Sequence, residues 1–246
     1  MTINQPLLAC VVSAMLLTAC ATTSSVGNSS DSSQDYYTQL GVGYLQKGRL
    51  DLAQQNLDKA LDKDPNSSDA HHYYALLQEA LGDDGKANQH FRQALKLNNK
   101  NPELLNNYGS FLCRTGQVAL ADKAFMAAVR DPFYKTPEYA FTNAGICAAK
   151  AGNLSAAENY FKQSQQVNAN YPETLYQLAK LNYQKGDNAK AQAYLYRYNA
   201  QVPVTADSLA LCYKIESVLN ESEKAEACAV ELRAKFPDSK AASQLN

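Results

Sequence analysis

An alanine recurs along this chain at a nearly constant interval, and that interval limits the folds that the sequence can adopt. The successive spacings are 34, 34, 36, 34 and 34 residues. Self-similarity at such a period is typical of stacked supersecondary units, each of which buries its apolar face against its neighbours. The sequence therefore predicts six structural repeats, and the recurring alanines are Ala53, Ala87, Ala121, Ala157, Ala191 and Ala225.

Other residue types keep the same register when the alanine is numbered position 20 of each repeat. Small residues at position 8 are Gly41, Ala75, Gly109, Gly145 and Ala179. Bulky residues at position 24 are Leu57, Phe91, Phe125, Phe161 and Leu195. Turn residues at position 15 are Gly48, Gly82, Gly116, Gly152, Gly186 and Asn220.

This register is typical of tetratricopeptide repeats, in which each unit is a hairpin of a helix A and a helix B. We expect the two helices to approach closely where positions 8 and 20 meet, and position 24 to fill the gap between hairpins. Glycine or asparagine at position 15 can adopt the left-handed conformation that ends helix A. The predicted fold is an all-α, right-handed superhelical solenoid of six tetratricopeptide repeats.

The six repeats account for residues 34–240 and leave residues 241–246 as a C-terminal tail. The last repeat departs from the register, with Tyr213 at position 8 and Ala229 at position 24. Such a departure is expected of a terminal unit that has no neighbour on one side. A two-residue insertion within Asp131–Pro137 lengthens the connection between repeats three and four, and it either bends the solenoid or forms a surface loop.

The residues before the repeats have a different character. Leu7–Leu17 is an apolar run that is too short to span a bilayer as a helix. It ends in Leu17-Thr18-Ala19-Cys20, which resembles the lipobox of bacterial lipoproteins. We therefore expect residues 1–19 to be a signal peptide whose removal leaves Cys20 lipidated, although Met1–Pro6 contains no lysine or arginine. The alternative is an ordinary signal peptide.

Residues 20–33 are predicted to be the lipidated cysteine and a disordered tether, because the Ser- and Thr-rich segment has little apolar surface to bury. Ala21 rather than aspartate follows Cys20, which by analogy with Gram-negative sorting favours the periplasmic face of the outer membrane. The expected membrane attachment is by the lipid anchor only. Acidic and basic residues number 24 and 23, and this balance argues against a nucleic-acid partner.

Four cysteines lie within the repeats, and an even number in an exported chain favours disulfides. In the repeat register, Cys113 and Cys147 lie on adjacent A helices, while Cys212 and Cys228 lie on facing helices of the last hairpin. Adjacent A helices lie side by side, so the first pair can reach the usual Cα separation of about 5.5–6 Å. The alternative is that the four thiols are free and serve as small core residues.

No pattern in the sequence is typical of a catalytic or metal site. His71 and His72 are adjacent, and neighbouring helical residues diverge by about 100°, so they cannot share a metal. We expect His71 in the core and His72 in the groove, and His90 has no carboxylate or cysteine at ligand spacing. Asp83-Asp84-Gly85 is a turn without the further ligands that calcium needs. We predict no enzymatic activity, no catalytic residue, no metal, no cofactor and no small-molecule substrate.

The surface of the solenoid remains as the candidate site. A helices are expected to line a concave groove through positions 2, 5, 6, 9, 12 and 13. Asn107 and Asn143, both at position 6, are neighbours along the groove, and their amides can bond to an extended peptide backbone. Arg114 and Lys150, both at position 13, would add positive charge on the same side.

Aromatic residues are concentrated in the first repeat. Tyr36, Tyr37 and Tyr44 would form a contact surface near the proposed anchor. The alternative is that Tyr37, at position 4, and Tyr44, at position 11, are ordinary core rings of the hairpin.

Three segments are more specific than the general repeat. They are NNYGSFLC at Asn106–Cys113, DPFYKTPEYAFTNAGIC at Asp131–Cys147 and AYLYRY at Ala193–Tyr198. With the lipobox, they resemble the type IV pilus biogenesis lipoproteins of the PilF/PilW family, over about Tyr36 to Val202. The resemblance implies a pilotin, which escorts secretin subunits to the outer membrane and promotes their multimerisation.

The resemblance also implies roles for individual residues. Cys20 would carry the lipid, Cys113–Cys147 would be a structural disulfide, and a groove on the A helices would bind the secretin. A second hypothesis is a helical-repeat lipoprotein that acts as a scaffold in outer-membrane protein assembly or in the regulation of peptidoglycan synthesis. Proteins of that class also have helical repeats that are attached to the membrane by a lipid anchor.

Overall fold

The computed structural model describes residues 29–245, which form thirteen α-helices and contain no β-strand. Twelve of these helices pair in succession as six hairpins, and the predicted all-α solenoid of tetratricopeptide repeats is confirmed. The helices are α1 (Ser29–Gln46), α2 (Leu50–Lys63), α3 (Ser68–Ala80), α4 (Asp84–Leu97), α5 (Pro102–Arg114), α6 (Val118–Ala128), α7 (Pro137–Lys150), α8 (Leu154–Val167), α9 (Pro172–Gln184), α10 (Asn188–Asn199), α11 (Ala206–Val218), α12 (Ser222–Lys235) and α13 (Lys240–Ser243).

The helices begin where side chains can satisfy the free amides of the first turn. The Oδ1 atom of Asn101 accepts hydrogen bonds from the first amides of α5, and Asp83 caps α4 in the same way. Thr205 and Ser208 form a reciprocal capping box at the start of α11. Three A helices open on a proline, whose missing N–H costs nothing at that position: Pro102, Pro137 and Pro172.

Each A helix ends at the turn residue that the register predicts. Position 15 has a positive φ in all six repeats, between 59° at Asn220 and 81° at Gly116 and Gly152. A residue with a side chain is strained in this conformation, and asparagine is among the few that tolerate it. The chain then reverses, and the amide of Gln117 bonds back to the carbonyl of Leu112 at 2.8 Å.

The two helices of a hairpin pack through the small residue at position 8. A Cβ atom added to Gly109 would lie 2.7 Å from Cε1 of Phe125, and one added to Gly41 would lie 2.6 Å from Cγ of Leu57. The nearest atoms to position 8 therefore belong to position 24 of the same hairpin. Position 20 also meets position 8 as expected, since the added Cβ atom at Gly41 would lie 3.4 Å from the carbonyl oxygen of Ala53. Position 24 also fills the junction between hairpins, since the Phe91 ring lies 5.4 Å from that of Phe111.

The A helices form the inner side of the curve. Contacts join α1 with α3, α5 with α7, α7 with α9 and α9 with α11, whereas consecutive B helices are not in comparable contact within residues 29–245. Elements on the inside of a curved stack are closer together than those outside. The A helices therefore line the concave face, as the sequence predicts.

Both ends of the repeat region differ from the predicted boundaries. Helix α1 begins at Ser29, so residues 29–33 are helical instead of belonging to the tether. Extending an existing helix adds a hydrogen bond for each residue fixed, which is less costly than starting one. The predicted signal peptide 1–19 and Cys20 lie outside the described residues.

The C-terminal residues are not a free tail. Helix α13 packs on α11 and α12, and Ala242 is buried with Leu209 and Leu232. The last hairpin would otherwise leave this apolar face uncovered, so α13 acts as a terminal cap. No helix in the described part of the chain combines the length and the apolar character needed to cross a bilayer.

The insertion between repeats three and four forms a surface loop, residues 129–136. Helix α6 has 11 residues, whereas α2, α4, α8 and α12 have 14, so the loop takes the place of the last turn of α6. Tyr134 is buried in the core of the central hairpins, and the preceding Phe133 is 88% exposed. The surface-loop alternative therefore describes this segment.

Candidate binding groove

The concave face contains open cavities between consecutive A helices. One of about 320 Å³ lies between α1 and α3, and one of about 350 Å³ lies mainly between α7 and α9. A third, of about 510 Å³, is lined by α9, α11 and α13. Together they make a discontinuous groove on the A-helix face, which suits side chains of an extended or helical polypeptide.

A ladder of polar side chains crosses the middle of this face. Asn107 Nδ2 lies 2.9 Å from Nε2 of His72, and Asn143 Nδ2 donates to Oδ1 of Asn106 at 3.0 Å. Each bond joins position 5 of one repeat to position 6 of the next. The amide groups of Asn107 and Asn143 therefore already have partners within the solenoid, both residues are half-buried, and their contact with a binding partner stays a prediction.

In repeats two and three position 5 is buried, and our expectation that His72 faces the groove is wrong. Towards the two ends of the solenoid position 5 does line the cavities of the concave face, at Thr38, Tyr176 and Ala210. His72 is 1% exposed and Asn106 is 7% exposed, because consecutive A helices pack directly over them. His71, expected in the core, is only half-buried. The prediction failed because the angle between neighbouring hairpins decides which of two adjacent positions is covered, and the period alone does not give that angle.

Arg114 does not supply a free positive charge. Its guanidinium pairs with Glu79 at 2.9 Å and with Asp84 at 2.6 Å, both in the preceding repeat. This site therefore differs from the predicted cationic groove position. Lys150, in contrast, is exposed, lines the cavity between α7 and α9, and forms no ion pair within residues 29–245.

Three lysines that the sequence analysis did not name extend the charge of Lys150. Lys180 and Lys214 stand at position 9 of the last two repeats, and Lys240 opens α13. All three are exposed, line the cavity between α9, α11 and α13, and have no ion pair among the described residues. For Lys180 and Lys214 the signal was position 9, which we had assigned to the groove.

The concave face is acidic at its other end, between α1 and α3. Asp35 and Asp69 line the cavity between α1 and α3. In repeats four to six the four lysines outnumber Asp207, which lines the same cavity as three of them. The concave face is therefore acidic near the start of the solenoid and basic on balance in repeats four to six, so a partner segment would be bound in one direction.

The aromatic residues of the first repeat divide into two kinds. Tyr44 packs in the hairpin core beside Leu57, as the alternative interpretation expected. Tyr36 is 58% exposed and contacts the half-buried Tyr37 edge to face, with ring centroids 5.5 Å apart. Lys59 Nζ lies 5.7 Å from the centre of the Tyr37 ring. Only Tyr36 offers substantial area to a partner.

Both predicted cysteine pairs form disulfides in the structure. Cys113 and Cys147 join α5 to α7 with a Cα separation of 5.7 Å. Cys212 and Cys228 join the two helices of the last hairpin with a Cα separation of 6.1 Å. The first bridge fixes two neighbouring A helices and so the centre of the groove.

The structure also brings together two histidines that lie far apart in the sequence. Nδ1 of His71 lies 2.9 Å from Nδ1 of His90, and Nε2 of His71 lies 3.0 Å from the carbonyl of Pro65. Since a carbonyl can only accept, a neutral His71 ring has its proton on Nε2 and accepts from His90 at Nδ1. Within the described part of the chain, no group of three or more possible ligands could hold a metal ion.

The buried His72 predicts a specific loss of stability in acid. Burial lowers the pKa of His72 from 6.5 to about 4. The folded state therefore favours the neutral ring, and its contribution is complete above pH 6.5 and is lost as the pH falls towards 4. We expect the free energy of unfolding to decrease by roughly 3 kcal/mol over this interval through His72.

Urea titrations between pH 7.5 and 4 would measure this effect, with His72→Gln as the non-titrating variant. Burial, followed by the charge of His71, also lowers the pKa of His90 to about 4, so His90→Gln is the matched comparison. Because the pKa of each ring is lowered to about 4, the pH dependence should flatten by a similar amount in His72→Gln and in His90→Gln. An equal slope in His72→Gln and the unsubstituted protein would contradict the assignment.

This fold defines the class of the protein as a tetratricopeptide-repeat protein. Its concave groove, with lysines that form no ion pair within residues 29–245, is typical of a surface that binds polypeptides. The family profile described as tetratricopeptide repeat matches residues 38–102. The chain is 30% identical over 209 residues to the type IV pilus assembly protein PilF of Pseudomonas aeruginosa, covering 85% of this chain and 83% of that protein. The chain belongs to the PilF/PilW family of type IV pilus proteins.

Two solved structures of this family have the same fold. The crystal structure of PilW, described as a widely conserved type IV pilus biogenesis factor, superposes with a TM-score of 0.80 at 33% identity, covering 86% of this chain and 97% of that one. The structure of Pseudomonas aeruginosa PilF gives 0.78 at 29% identity, with coverages of 88% and 97%. This membership supports a role in type IV pilus biogenesis.

Proposed function

We propose that this protein is a pilotin, an outer-membrane lipoprotein that binds the type IV pilus secretin and promotes its outer-membrane localisation and multimerisation. The observation that carries the proposal is a concave face with unpaired lysines in a chain of the PilF/PilW family. Lys150, Lys180 and Lys214 would contact acidic side chains of the secretin segment, while the apolar parts of the cavities would take its hydrophobic side chains.

The groove lysines test this proposal. Lys180→Glu combined with Lys214→Glu should weaken secretin binding about tenfold, because two attractive charge contacts become repulsive. The matched control is Lys123→Glu, which changes an exposed lysine on the B helix α6. Binding is measured with purified secretin, and assembly by the amount of heat-stable secretin multimers in cells. Undiminished multimers and surface pili after deletion of the gene would contradict the pilotin role.

The proposed anchor gives a separate expectation. Cys20→Ala should leave a folded protein that no longer fractionates with the outer membrane, because the acyl chains supply most of the membrane affinity. Membrane fractionation and the melting temperature of the purified variant check the two parts of this expectation. Unchanged outer-membrane fractionation would show that Cys20 does not anchor the chain.

A further inference from the structure

The α6–α7 loop presents an aromatic ring directly to solvent. Phe133 is 88% exposed, more than any other large hydrophobic residue in the described part of the chain. None of residues 129–136 lines the cavities described above on the concave face. The chemistry of the loop is therefore not explained by the proposed secretin groove.

A defined turn holds the Phe133 ring outward. The Oδ1 atom of Asp131 accepts a hydrogen bond from the Phe133 N–H at 2.8 Å, and the Asp131 carbonyl accepts from the Tyr134 N–H at 3.1 Å. Pro132 restricts the backbone between them. Tyr134 is buried beneath the turn, with 7% exposure. Because these hydrogen bonds already order the backbone, contact of the Phe133 ring with a partner costs less backbone entropy than it would from a flexible loop.

Two cations and two further aromatic rings lie near Phe133, together with acidic residues. Asp131 holds the turn through its bond to the Phe133 N–H. Glu138 is buried at 8% exposure, and Glu103 at the start of α5 is exposed.

Arg130 and Lys135 flank Phe133, both are exposed, and neither forms an ion pair within residues 29–245. At the start of α7, Tyr139 is 42% exposed and stacks on Tyr171 with ring centroids 4.8 Å apart. Aromatic rings at the headgroup level, next to cations that attract anionic lipids, are typical of a membrane-interface contact.

The topology places this loop on a particular edge of the solenoid. Successive helices of up-and-down hairpins are antiparallel, so all A helices run in the same direction and begin at one edge. The start of α1 and the α6–α7 loop therefore lie on the same edge. Cys20 lies nine residues before Ser29, so a lipid attached there would bring this edge towards the bilayer.

We propose that the α6–α7 loop is a second membrane contact, in which Phe133 inserts into the headgroup region of an anionic bilayer and Arg130 and Lys135 bind its phosphates. The inference rests on the proposed anchoring at Cys20, because the anchor is what places a membrane next to this loop. One ring and two cations bind weakly by themselves, but the anchor makes their contact intramolecular and so raises its effective concentration. The contact would orient the solenoid with respect to the membrane.

Vesicle binding of the chain from residue 20 with Cys20→Ser tests this inference without a contribution from acyl chains. Vesicles of phosphatidylethanolamine with phosphatidylglycerol should bind it in co-sedimentation, and vesicles without the anionic lipid should bind it more weakly. Phe133→Ser should lower the partition coefficient about tenfold. Arg130→Gln and Lys135→Gln should each lower it about fivefold.

Tyr196→Ser is the matched control, since this tyrosine is 77% exposed but lies on the B helix α10. It should bind as the parent does, and all variants should keep the parent melting temperature. Equal binding of Phe133→Ser and its parent, or no vesicle binding at all, would overturn the inference. Loss of secretin binding by Phe133→Ser without any vesicle binding would also overturn it, because the loop would then be a protein contact. A failure of lipidation in cells leaves this assay unaffected.

Discussion

Replacing Gly109 with alanine is expected to lower the free energy of unfolding by about 2–3 kcal/mol, although alanine favours helices more than glycine does. The added methyl group would lie 2.7 Å from Cε1 and 2.8 Å from Cδ1 of Phe125. Phe125 is fully buried, so its ring cannot rotate away without displacing its neighbours. Helices α5 and α6 would have to separate, which weakens the packing on both adjacent hairpins.

Gly43 provides the matched control for this substitution. It also lies within an A helix, but a Cβ atom there would have no neighbour within 4 Å. Gly43→Ala should therefore stabilise the protein by about 0.5–1 kcal/mol through helix propensity alone. Urea unfolding followed by circular dichroism measures both effects. The double variant Gly109→Ala, Phe125→Leu should recover part of the loss, and equal effects at the two glycines would show that close packing at position 8 is not limiting.

Removing the disulfide between Cys113 and Cys147 is expected to cost roughly 3–4 kcal/mol by the loop-entropy model. The two cysteines are 34 residues apart in the sequence, and the bridge joins neighbouring repeats. A repeat protein is held together by the contacts between adjacent units, so this bridge supports the junction at which the solenoid has its longest connection. Cys113→Ala combined with Cys147→Ala should therefore loosen repeats three and four.

The disulfide of the last hairpin provides the comparison, because its removal changes the same chemistry within one repeat instead of between two. Cys212 and Cys228 are 16 residues apart and lie within one hairpin, so their removal should cost about 3 kcal/mol. Hydrogen exchange distinguishes the two cases by location. Loss of the first bridge should speed exchange in α5 to α8, and loss of the second should speed it in α11 and α12. Unchanged exchange in α5 to α8 would show that helix packing alone holds this junction.

Much of the architecture could be predicted from the sequence, because the same residue preferences recur at the same position of every repeat. Position 15 must turn left-handed, so glycine or asparagine at that position marks the end of every A helix. The same register placed Cys113 beside Cys147 and Cys212 opposite Cys228. These conclusions depend only on the helical period and on the order of the helices, both of which the sequence contains.

The site was less predictable, because its contacts depend on how one hairpin is rotated against the next. Lys150 could be assigned to the concave face, but nothing in the local sequence of Arg114 indicates that Glu79 and Asp84 neutralise it. The rotation between hairpins also explains why His72 is buried and His71 is half-buried, which is the reverse of our expectation.

The six hairpins, their turns and their stacking order follow from the amino-acid sequence alone, since each depends on residue size and backbone freedom at fixed intervals. The polar groups that remain available on the concave face, in contrast, depend on how the hairpins pack against one another. Residues such as His72 and Asn107 are 35 positions apart, and their pairing depends on an angle between hairpins that is set by the packing of whole helices.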